Sequence, residues 1–392
     1  MNKLKLNNTS LSFLPILVCI PLGYQLITNL HFGGFKLFQE FLISAFNPKI
    51  DNEIIITVIN RINETILIGF FSWLVSIIFG AIFGILSSNI FYKIFNIPIF
   101  LNRIMRFFLT IIRSIHEVVW GILLMQIYGI NYSIGLIAIC IPYISVNSKV
   151  FAEQLETIDY KSFESINQIN APKFSSLLTL IWNPIINTFK NFGLYRLECS
   201  IRSTVILGLF GIGGIGTSIF LSFQTLNFRE LWTYLWSLAI LIILSRLIFK
   251  KINFNNTNKI LSIFFIAVFF TTILLSFSYC LYFVFNNNSE NFNSVSTLFK
   301  SSSDLGLFDF LKLILETIIL SLLSTGIAIS LPPLAIGIFN NNTSKILIRI
   351  FAFLLRLIPT PVMLLTLLTF NNPSLSLAAL TLGLHNAGIT SK

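Results

Sequence analysis

Three charged residues lie close together in an otherwise apolar stretch, at Arg196, Glu198 and Arg202. On a helix, Glu198 and Arg202 would neighbour each other four residues apart with the acid first, which is the more favourable order for an ion pair. A guanidinium can instead hold an oxyanion through two parallel hydrogen bonds. Two interpretations therefore stay open: an ion pair that holds helices together, or an arginine, Arg196 or Arg202, that contacts an anionic substrate at a gate.

A glycine-rich run follows, at Gly211, Gly213, Gly214 and Gly216. Its spacing fits the G-x-G-x-x-G dinucleotide fingerprint, and Glu230 even lies near the distance at which that fingerprint places an acid. The fingerprint requires a strand, a turn and a helix of a βαβ unit, whereas this run is flanked by long apolar segments. We therefore reject it and expect the glycines to let helices approach closely or to break a helix.

No residue pattern predicts catalysis. The chain lacks the G-x-x-x-x-G-K-[ST] sequence of a P-loop, and its histidines, His31, His116 and His385, lie in separate segments. The cysteines stand in apolar runs without metal-ligand spacing. We therefore expect no catalytic residue, no metal and no cofactor bound by this chain, which is not an enzyme.

The composition predicts an all-α polytopic membrane protein. Hydrophobic residues make up 55% of the chain and charged residues 10%, against about 25% charged residues in soluble domains. Phenylalanine alone occurs 41 times, so a water-soluble fold would expose many aromatic rings. About ten apolar runs approach the length of a transmembrane helix: 11–30, 63–88, 104–127, 132–147, 191–213, 231–249, 260–285, 311–338, 347–370 and 374–390.

The distribution of positive charge predicts the orientation. If the N-terminus is cytoplasmic and successive runs alternate in direction, most of the 26 Lys and Arg fall at cytoplasmic loops or helix ends, as the positive-inside rule requires. The net charge of +11 is then scattered over several loops. A nucleic-acid partner is not expected, because it would need the charge on one face.

Two further arginines, Arg113 and Arg356, lie near cytoplasmic helix ends, and Glu117 follows Arg113 by four residues. A positive side chain at such a place can be a simple topology anchor. It can also be an oxyanion contact, since the guanidinium suits bidentate binding. The sequence leaves both interpretations open.

The segment 148–190 is a polar interruption between apolar runs. It carries Glu153, Glu156 and Asp159 among other charges, yet its apolar residues, such as Phe163 and Ile166, still recur at helical spacing. The orientation given above places it in the cytoplasm. We expect it to offer a short amphipathic helix to a partner outside the bilayer.

The chain repeats itself. Arg349, Arg356 and Lys392 follow Arg106, Arg113 and Lys149 at a constant offset of 243, and Glu316-Thr317 follows Glu64-Thr65 at an offset of 252. The predicted organisation is a signal anchor with a periplasmic segment over 1–50, a first module over 51–250, a linker helix with a periplasmic loop over 251–309, and a second module over 310–392. Because the second copy reaches residue 392 where the first enters its polar segment, we expect a fragment or shortened reading frame.

The polar segment resembles the cytoplasmic loop of ABC-importer permeases, in which a Glu-Ala-Ala stretch, a later Gly and a Pro mark the coupling helix. Glu164-Ser165-Ile166, Asn170-Ala171 and Pro184 stand at those positions. Asn can replace the Gly because it is among the residues most tolerant of positive φ. The resemblance implies that an ATP-binding subunit docks on Glu153, Asp159, Phe163, Glu164, Ser165, Ile166, Asn170, Ala171 and Pro184.

The stretch 195–216, YRLECSIRSTVILGLFGIGGIG, is similar to the signature of permeases for phosphonate, phosphite and related oxyanions. The stretch 113–120 resembles the same subfamily, with His116 where proline is usual; the second copy keeps Pro359. The resemblance covers 55–245 and again 310–392. It implies two parallel copies of a binding-protein-dependent permease (MetI-like) module. The expected translocation-path and gating residues are Arg113, Glu117, Arg196, Glu198, Arg202, Gly211, Gly213, Gly214, Gly216 and Arg356.

The resemblance implies an ATP-driven importer in the bacterial inner membrane. A periplasmic binding protein would deliver the oxyanion, and ATP with Mg²⁺ would bind to cytoplasmic partner subunits. With one polar segment, the chain would dimerise, pair with another permease chain or be inactive. Two alternatives remain: an ion-coupled secondary transporter, which would need acidic coupling residues inside the spans, and a structural or inactive membrane subunit.

Overall fold

The computed structural model describes residues 14–158, 172–251, 306–338 and 342–391. These residues form helices joined by short turns, with one isolated β-bridge between Leu30 and Asn371. Contacts divide the chain into two compact units. Of the described residues, the terminal unit contains 14–55, 219–239, 306–338 and 342–391, and the central unit contains 56–158, 172–218 and 240–251.

The helices follow one another along the chain with few residues between them. The first are α1 Leu14–Thr28, α2 Phe35–Ser44, α3 Asn52–Leu86, α4 Asn89–Phe95, α5 Ile99–Ser114, α6 Glu117–Tyr128 and α7 Tyr132–Glu156, with a 3₁₀ turn at Phe32–Gly34. Next come α8 Lys173–Leu209, α9 Ile215–Gln224 and α10 Phe228–Lys251. The last are α11 Leu307–Ile338, α12 Asn342–Leu357, α13 Thr360–Leu368 and α14 Leu375–Thr390.

Four helices of the described residues, α3, α7, α10 and α11, are long and apolar enough to cross a membrane, and the count rises to six if each of two bent helix pairs is one span. This confirms the prediction of an all-α polytopic membrane protein. The predicted run 191–213 forms the C-terminal part of α8, and 374–390 forms the shorter helix α14. The run 260–285 lies outside the described residues.

The predicted runs 104–127 and 347–370 are not straight helices. The first is α5 and α6, bent by 82°, and the second is α12 and α13, bent by 94°. Pro359 explains the second bend, because proline lacks an N–H and keeps the preceding residue out of helical conformation. At the first bend His116 adopts nearly the same backbone, with φ −67° and ψ 147° against −58° and 139° for Pro359.

The helices repeat with the offsets found in the sequence. In the first copy α5, α6 and α7 begin at residues 99, 117 and 132, and in the second copy α12, α13 and α14 begin at 342, 360 and 375. Each pair of starts differs by 243. The helices α3 and α11 end at residues 86 and 338, which differ by 252. The sequence repeat is therefore also a repeat of helix boundaries, including the bend.

Small residues let helices pack closely inside each unit. In the central unit, a Cβ on Gly80 of α3 would come within 2.5 Å of the Asn147 Cβ on α7. In the terminal unit, a Cβ on Gly383 of α14 would come within 2.6 Å of the Ile327 Cβ on α11. Such contacts are typical of membrane helices, which gain little from apolar burial against each other and depend on close packing.

Candidate functional site

A buried polar chain joins α6, α7 and α8 in the central unit. The Ser203 hydroxyl donates to Glu117 Oε1 at 2.6 Å, and the Tyr143 and Ser203 hydroxyl oxygens are 2.7 Å apart. Because a serine hydroxyl has one hydrogen and Glu117 accepts it, Tyr143 must donate to Ser203. The order is therefore Tyr143 to Ser203 to Glu117, and the three side chains belong to residues no more than 9% exposed.

Arg196 lies against this chain. Its guanidinium carbon is 3.8 Å from the centroid of the Tyr143 ring and 5.7 Å from that of Phe192. Arg196 is 8% exposed, and its Nε and Nη2 atoms are buried without a hydrogen-bond partner among the described residues. The stacked ring stabilises the positive charge through a cation–π contact, but it does not accept the edge N–H groups.

The other arginine of the sequence motif is in a different situation. Arg202 Nη2 donates to Glu198 Oε1 one turn earlier on α8, and the two side chains are 14% and 5% exposed. The i, i+4 ion pair predicted for these two residues is present. The carboxylate of Glu198 neutralises the charge of Arg202. Arg202 therefore has an ion-pair partner among the described residues, whereas Arg196 does not.

The polar chain meets α7 about halfway along this helix, which is long and apolar enough to cross a membrane. Tyr143 follows Tyr132, the first residue of α7, by eleven positions, which corresponds to about 16 Å along a helix axis. The hydrocarbon core is about 30 Å thick. Glu117 is the first residue of α6, so the bend between α5 and α6 brings a helix N-terminus to the same polar chain.

The glycine-rich run forms the tight connection between α8 and α9. Gly211, Gly213 and Gly214 have positive φ values of 93°, 110° and 76°. A Cβ on Gly213 would come within 2.2 Å of the Tyr132 ring, and a Cβ on Gly216 within 2.0 Å of the Val205 carbonyl oxygen. The glycines therefore both break the helix and allow the close approach, as the sequence predicted.

Side chains from α3 hold this connection in place. Glu64 Oε2 accepts the Gly214 N–H at 2.8 Å, and Thr65 Oγ1 accepts the Ile215 N–H at 2.8 Å. The carboxylate of Glu64 is also bound by Arg61 at 2.9 Å and by the Tyr132 hydroxyl at 3.1 Å. We call the set Arg61, Glu64, Thr65 and Tyr132 the α3 clamp.

The α3 clamp was not predicted as part of a site. Glu64 and Thr65 were noticed only as one half of the repeated Glu-Thr pair, and that repetition was the available signal. The pairing of Thr65 with Ile215 spans 150 residues, so helical periodicity could not have found it.

We expect Thr65→Val to lower the free energy of unfolding by about 1–3 kcal/mol, because it leaves the Ile215 N–H without its acceptor in a buried place. Thr65 is 0% exposed. Denaturant unfolding of the purified protein in detergent micelles measures the change. The matched control is Thr317→Val: Thr317 is the repeat equivalent of Thr65, but it is exposed and donates to Leu313 of its own helix. An equal loss in both variants would contradict the assigned role of Thr65.

The remaining predicted site residues lie elsewhere. Arg113 donates to Thr110 Oγ1 at 2.9 Å at the end of α5 and is not buried. Arg356, in the terminal unit, is 5% exposed and has the Phe353 ring 5.8 Å from its guanidinium carbon. Glu153 is exposed on α7 and pairs with Lys149 at 3.6 Å.

Two of the nine predicted docking residues, Glu153 and Pro184, lie in the described part of the chain. Pro184 lies within α8. The remaining docking residues lie outside the described part of the chain: Asp159, Phe163, Glu164, Ser165, Ile166, Asn170 and Ala171. The described residues contain no group of three or more His, Cys, Asp or Glu that could hold a metal ion.

Comparison with known proteins identifies relatives at low identity. The chain is 26% identical over 125 residues to a phosphite transport system permease protein of Stutzerimonas stutzeri, covering 32% of this chain and 46% of that protein. It is 25% identical over 123 residues to a phosphate-import permease protein of Mycolicibacterium smegmatis, covering 31% and 23%. The chain thus spans less than half the length of either relative.

A third relative is covered more fully. The chain is 27% identical over 95 residues to a putative cryptic phosphonate transport system permease protein of Escherichia coli, covering 24% of this chain and 78% of that protein. No protein-family profile and no solved structure matches the chain. Over roughly a third of its length the chain is therefore similar to permeases of phosphite, phosphate and phosphonate transport systems, which confirms the resemblance inferred from its motifs.

Proposed function

We propose that this chain is the transmembrane permease subunit of an ATP-driven importer for phosphite, phosphonate or a related oxyanion. The observation that carries the proposal is the similarity to permeases whose names specify phosphite, phosphate and phosphonate transport. The burial of Arg196 supports it, because a charged side chain inside a membrane protein is costly unless it faces a partner or a water-filled path. The chain itself performs no catalysis; transport is its role.

The predicted path residues are proposed to act in two groups. Arg196, Glu117 and the Glu198–Arg202 pair border the path near the middle of the bilayer. Gly211, Gly213, Gly214 and Gly216 form the connection at its outer end. In this proposal Arg113 and Arg356 do not border the path. Arg113 contacts Thr110 at the end of α5, and Arg356 contacts Phe353 near the end of α12.

Coupling to ATP hydrolysis is proposed to occur at the segment 148–190. Cytoplasmic subunits that bind ATP and Mg²⁺ would dock there, around Glu164. A contact at the adjacent end of α7 supports this: Arg106 of α5 binds both Glu156 of α7 and the Ser87 carbonyl, the latter at 2.9 Å. A displacement of the docking segment would therefore also displace α5 and the bend between α5 and α6.

The proposed orientation is multi-pass in the bacterial inner membrane with a cytoplasmic N-terminus. A periplasmic binding protein would then approach the segment around Lys49 and the start of α10. There Lys49 donates to Glu230 at 2.9 Å, and this hydrogen bond, with a further one to Asp51, raises the pKa of the Lys49 ammonium above its usual value. The charged groups of this surface are thus mutually satisfied and held at the membrane edge.

The test is uptake of radiolabelled phosphite and methylphosphonate by cells that contain the complete transport system. We expect uptake to be lost on deletion of the gene and on Glu164→Lys, which reverses the charge at the proposed docking helix. Glu164→Lys should also abolish co-purification of the ATP-binding subunit.

Glu40→Lys is the matched control, because Glu40 is an exposed acid on α2 that the proposed orientation places on the opposite side of the membrane. It should leave both measurements unchanged. Uptake of only phosphorus-free compounds would overturn the proposed substrate, and intact ATPase binding by Glu164→Lys would overturn the proposed docking segment.

A further inference from the structure

Arg196 differs from Arg202 of the same helix, because the described residues give it no ion-pair partner. Among the described residues it makes no ion pair, and its Nε and Nη2 atoms are buried without an acceptor. Arg202, six positions later on α8, is bound to the carboxylate of Glu198. The sequence left open which of these two arginines contacts an anion, and this difference in pairing separates them.

The contact with Tyr143 determines which part of the Arg196 guanidinium can form hydrogen bonds to another group. The guanidinium lies over the ring, with its carbon 3.8 Å from the ring centroid. The donors of a guanidinium lie in its plane and point outward along the edge. The ring therefore fixes the orientation of the group while leaving edge donors for an acceptor with two oxygens.

In this structure no neighbouring polar group among the described residues accepts from Arg196 Nε or Nη2. The Tyr143 hydroxyl donates to Ser203, and Ser203 in turn donates to Glu117 Oε1 at 2.6 Å. The hydroxyl hydrogens of Tyr143 and Ser203 are therefore used within this row of hydrogen bonds, which ends at the carboxylate of Glu117. The arrangement leaves a pre-oriented cation whose partner is absent from the described residues.

We propose that the free edge of Arg196 binds the tetrahedral oxyanion as it crosses the middle of the membrane. Phosphite and phosphonates are suitable ligands, because each presents two oxygens at the spacing that a guanidinium accepts in bidentate fashion. Tyr143 positions the guanidinium and does not contact the ligand through its hydroxyl. The inference rests on the proposed function and names Arg196, not Arg202, as the residue that determines anion affinity inside the membrane.

The test compares the concentration dependence of phosphite uptake in variants of the complete transporter. Arg196→Lys keeps the charge but loses the planar fork, and we expect it to raise KM for phosphite at least tenfold with normal amounts of protein in the membrane. Arg196→Gln should raise KM further. Tyr143→Leu removes the aromatic ring that lies against the guanidinium and should also raise KM.

Arg103→Lys is the matched control, because Arg103 is an exposed arginine on α5 outside the proposed path, and its KM should stay within twofold. A purely structural role for Arg196 predicts reduced amounts of protein with unchanged KM, and that result in Arg196→Lys would overturn the inference. Absence of phosphite and phosphonate uptake in wild type would instead overturn the proposed function. If Arg196→Gln does not accumulate, the Arg196→Lys measurement decides the question alone.

Discussion

Gly216→Ala is expected to destabilise the protein by about 3 kcal/mol or more, at the upper end of the range for overpacking. The added Cβ would lie 2.0 Å from the Val205 carbonyl oxygen and 2.9 Å from the Gly208 Cα. Both obstacles are backbone atoms of α8, so no side-chain rotation can relieve the clash. Denaturant unfolding in detergent micelles and the amount of protein in the membrane measure the loss.

Gly211→Ala measures the cost of backbone strain without the steric clash that is expected at Gly216. Gly211 has a positive φ of 93° but no heavy atom within 4 Å of an added Cβ, so it should cost about 1–2 kcal/mol from the left-handed conformation alone. Gly23 of α1 likewise has nothing within 4 Å and has no positive φ. Gly23→Ala should therefore cause no loss. A Gly216→Ala variant as stable as Gly211→Ala would contradict the close approach of α8 and α9.

Glu198→Ala should destabilise the protein by about 3–5 kcal/mol, because removing one member of a buried pair leaves the other charge uncompensated. The Glu198 side chain is 5% exposed and that of Arg202 is 14% exposed. The double variant Glu198→Ala with Arg202→Met removes both charges and should recover most of the loss. The measurement is the free energy of unfolding of Glu198→Ala, Arg202→Met and the double variant in one double-mutant cycle.

An exposed pair with the same spacing provides the control. Lys149 and Glu153 are also four residues apart, with side chains 52% and 61% exposed. Surface pairs of this kind contribute about 0–1 kcal/mol, so Glu153→Ala should change the free energy of unfolding little. A cost for Glu198→Ala that is no larger than for Glu153→Ala would show that Arg202 is solvated in the folded protein.

The fold was largely predictable because two strong signals agreed. Apolar runs near membrane length identified the helices. The offset of 243 between Arg113 and Arg356 identified the repeat, and the starts of the repeated helices differ by the same 243 residues. The bend at His116 was not predictable from its own residue type, since histidine does not exclude helical backbone. No bend was predicted at either place, and Pro359 of the second copy is the signal that could have indicated both.

The site was less predictable because it depends on contacts between distant residues. The i, i+4 spacing predicted the Glu198–Arg202 pair, since helical geometry alone brings those two together. The contact of Arg196 with Tyr143 depends on how α7 and α8 pack, and periodicity does not encode that. The acceptors for Gly214 and Ile215 on α3 were missed for the same reason.

The two bends are held by different means. At the second, the pyrrolidine ring of Pro359 fixes φ and restricts Ile358, so the corner is written into the covalent chain. At the first, His116 has nearly the same backbone angles without a pyrrolidine ring that fixes φ, and its Nδ1 accepts the Val118 N–H at 3.3 Å, so non-covalent contacts maintain the corner. Under mechanical load the bend between α5 and α6 in the first copy can therefore straighten more easily than the bend between α12 and α13 in the second copy. Two modules with the same architecture therefore differ in compliance.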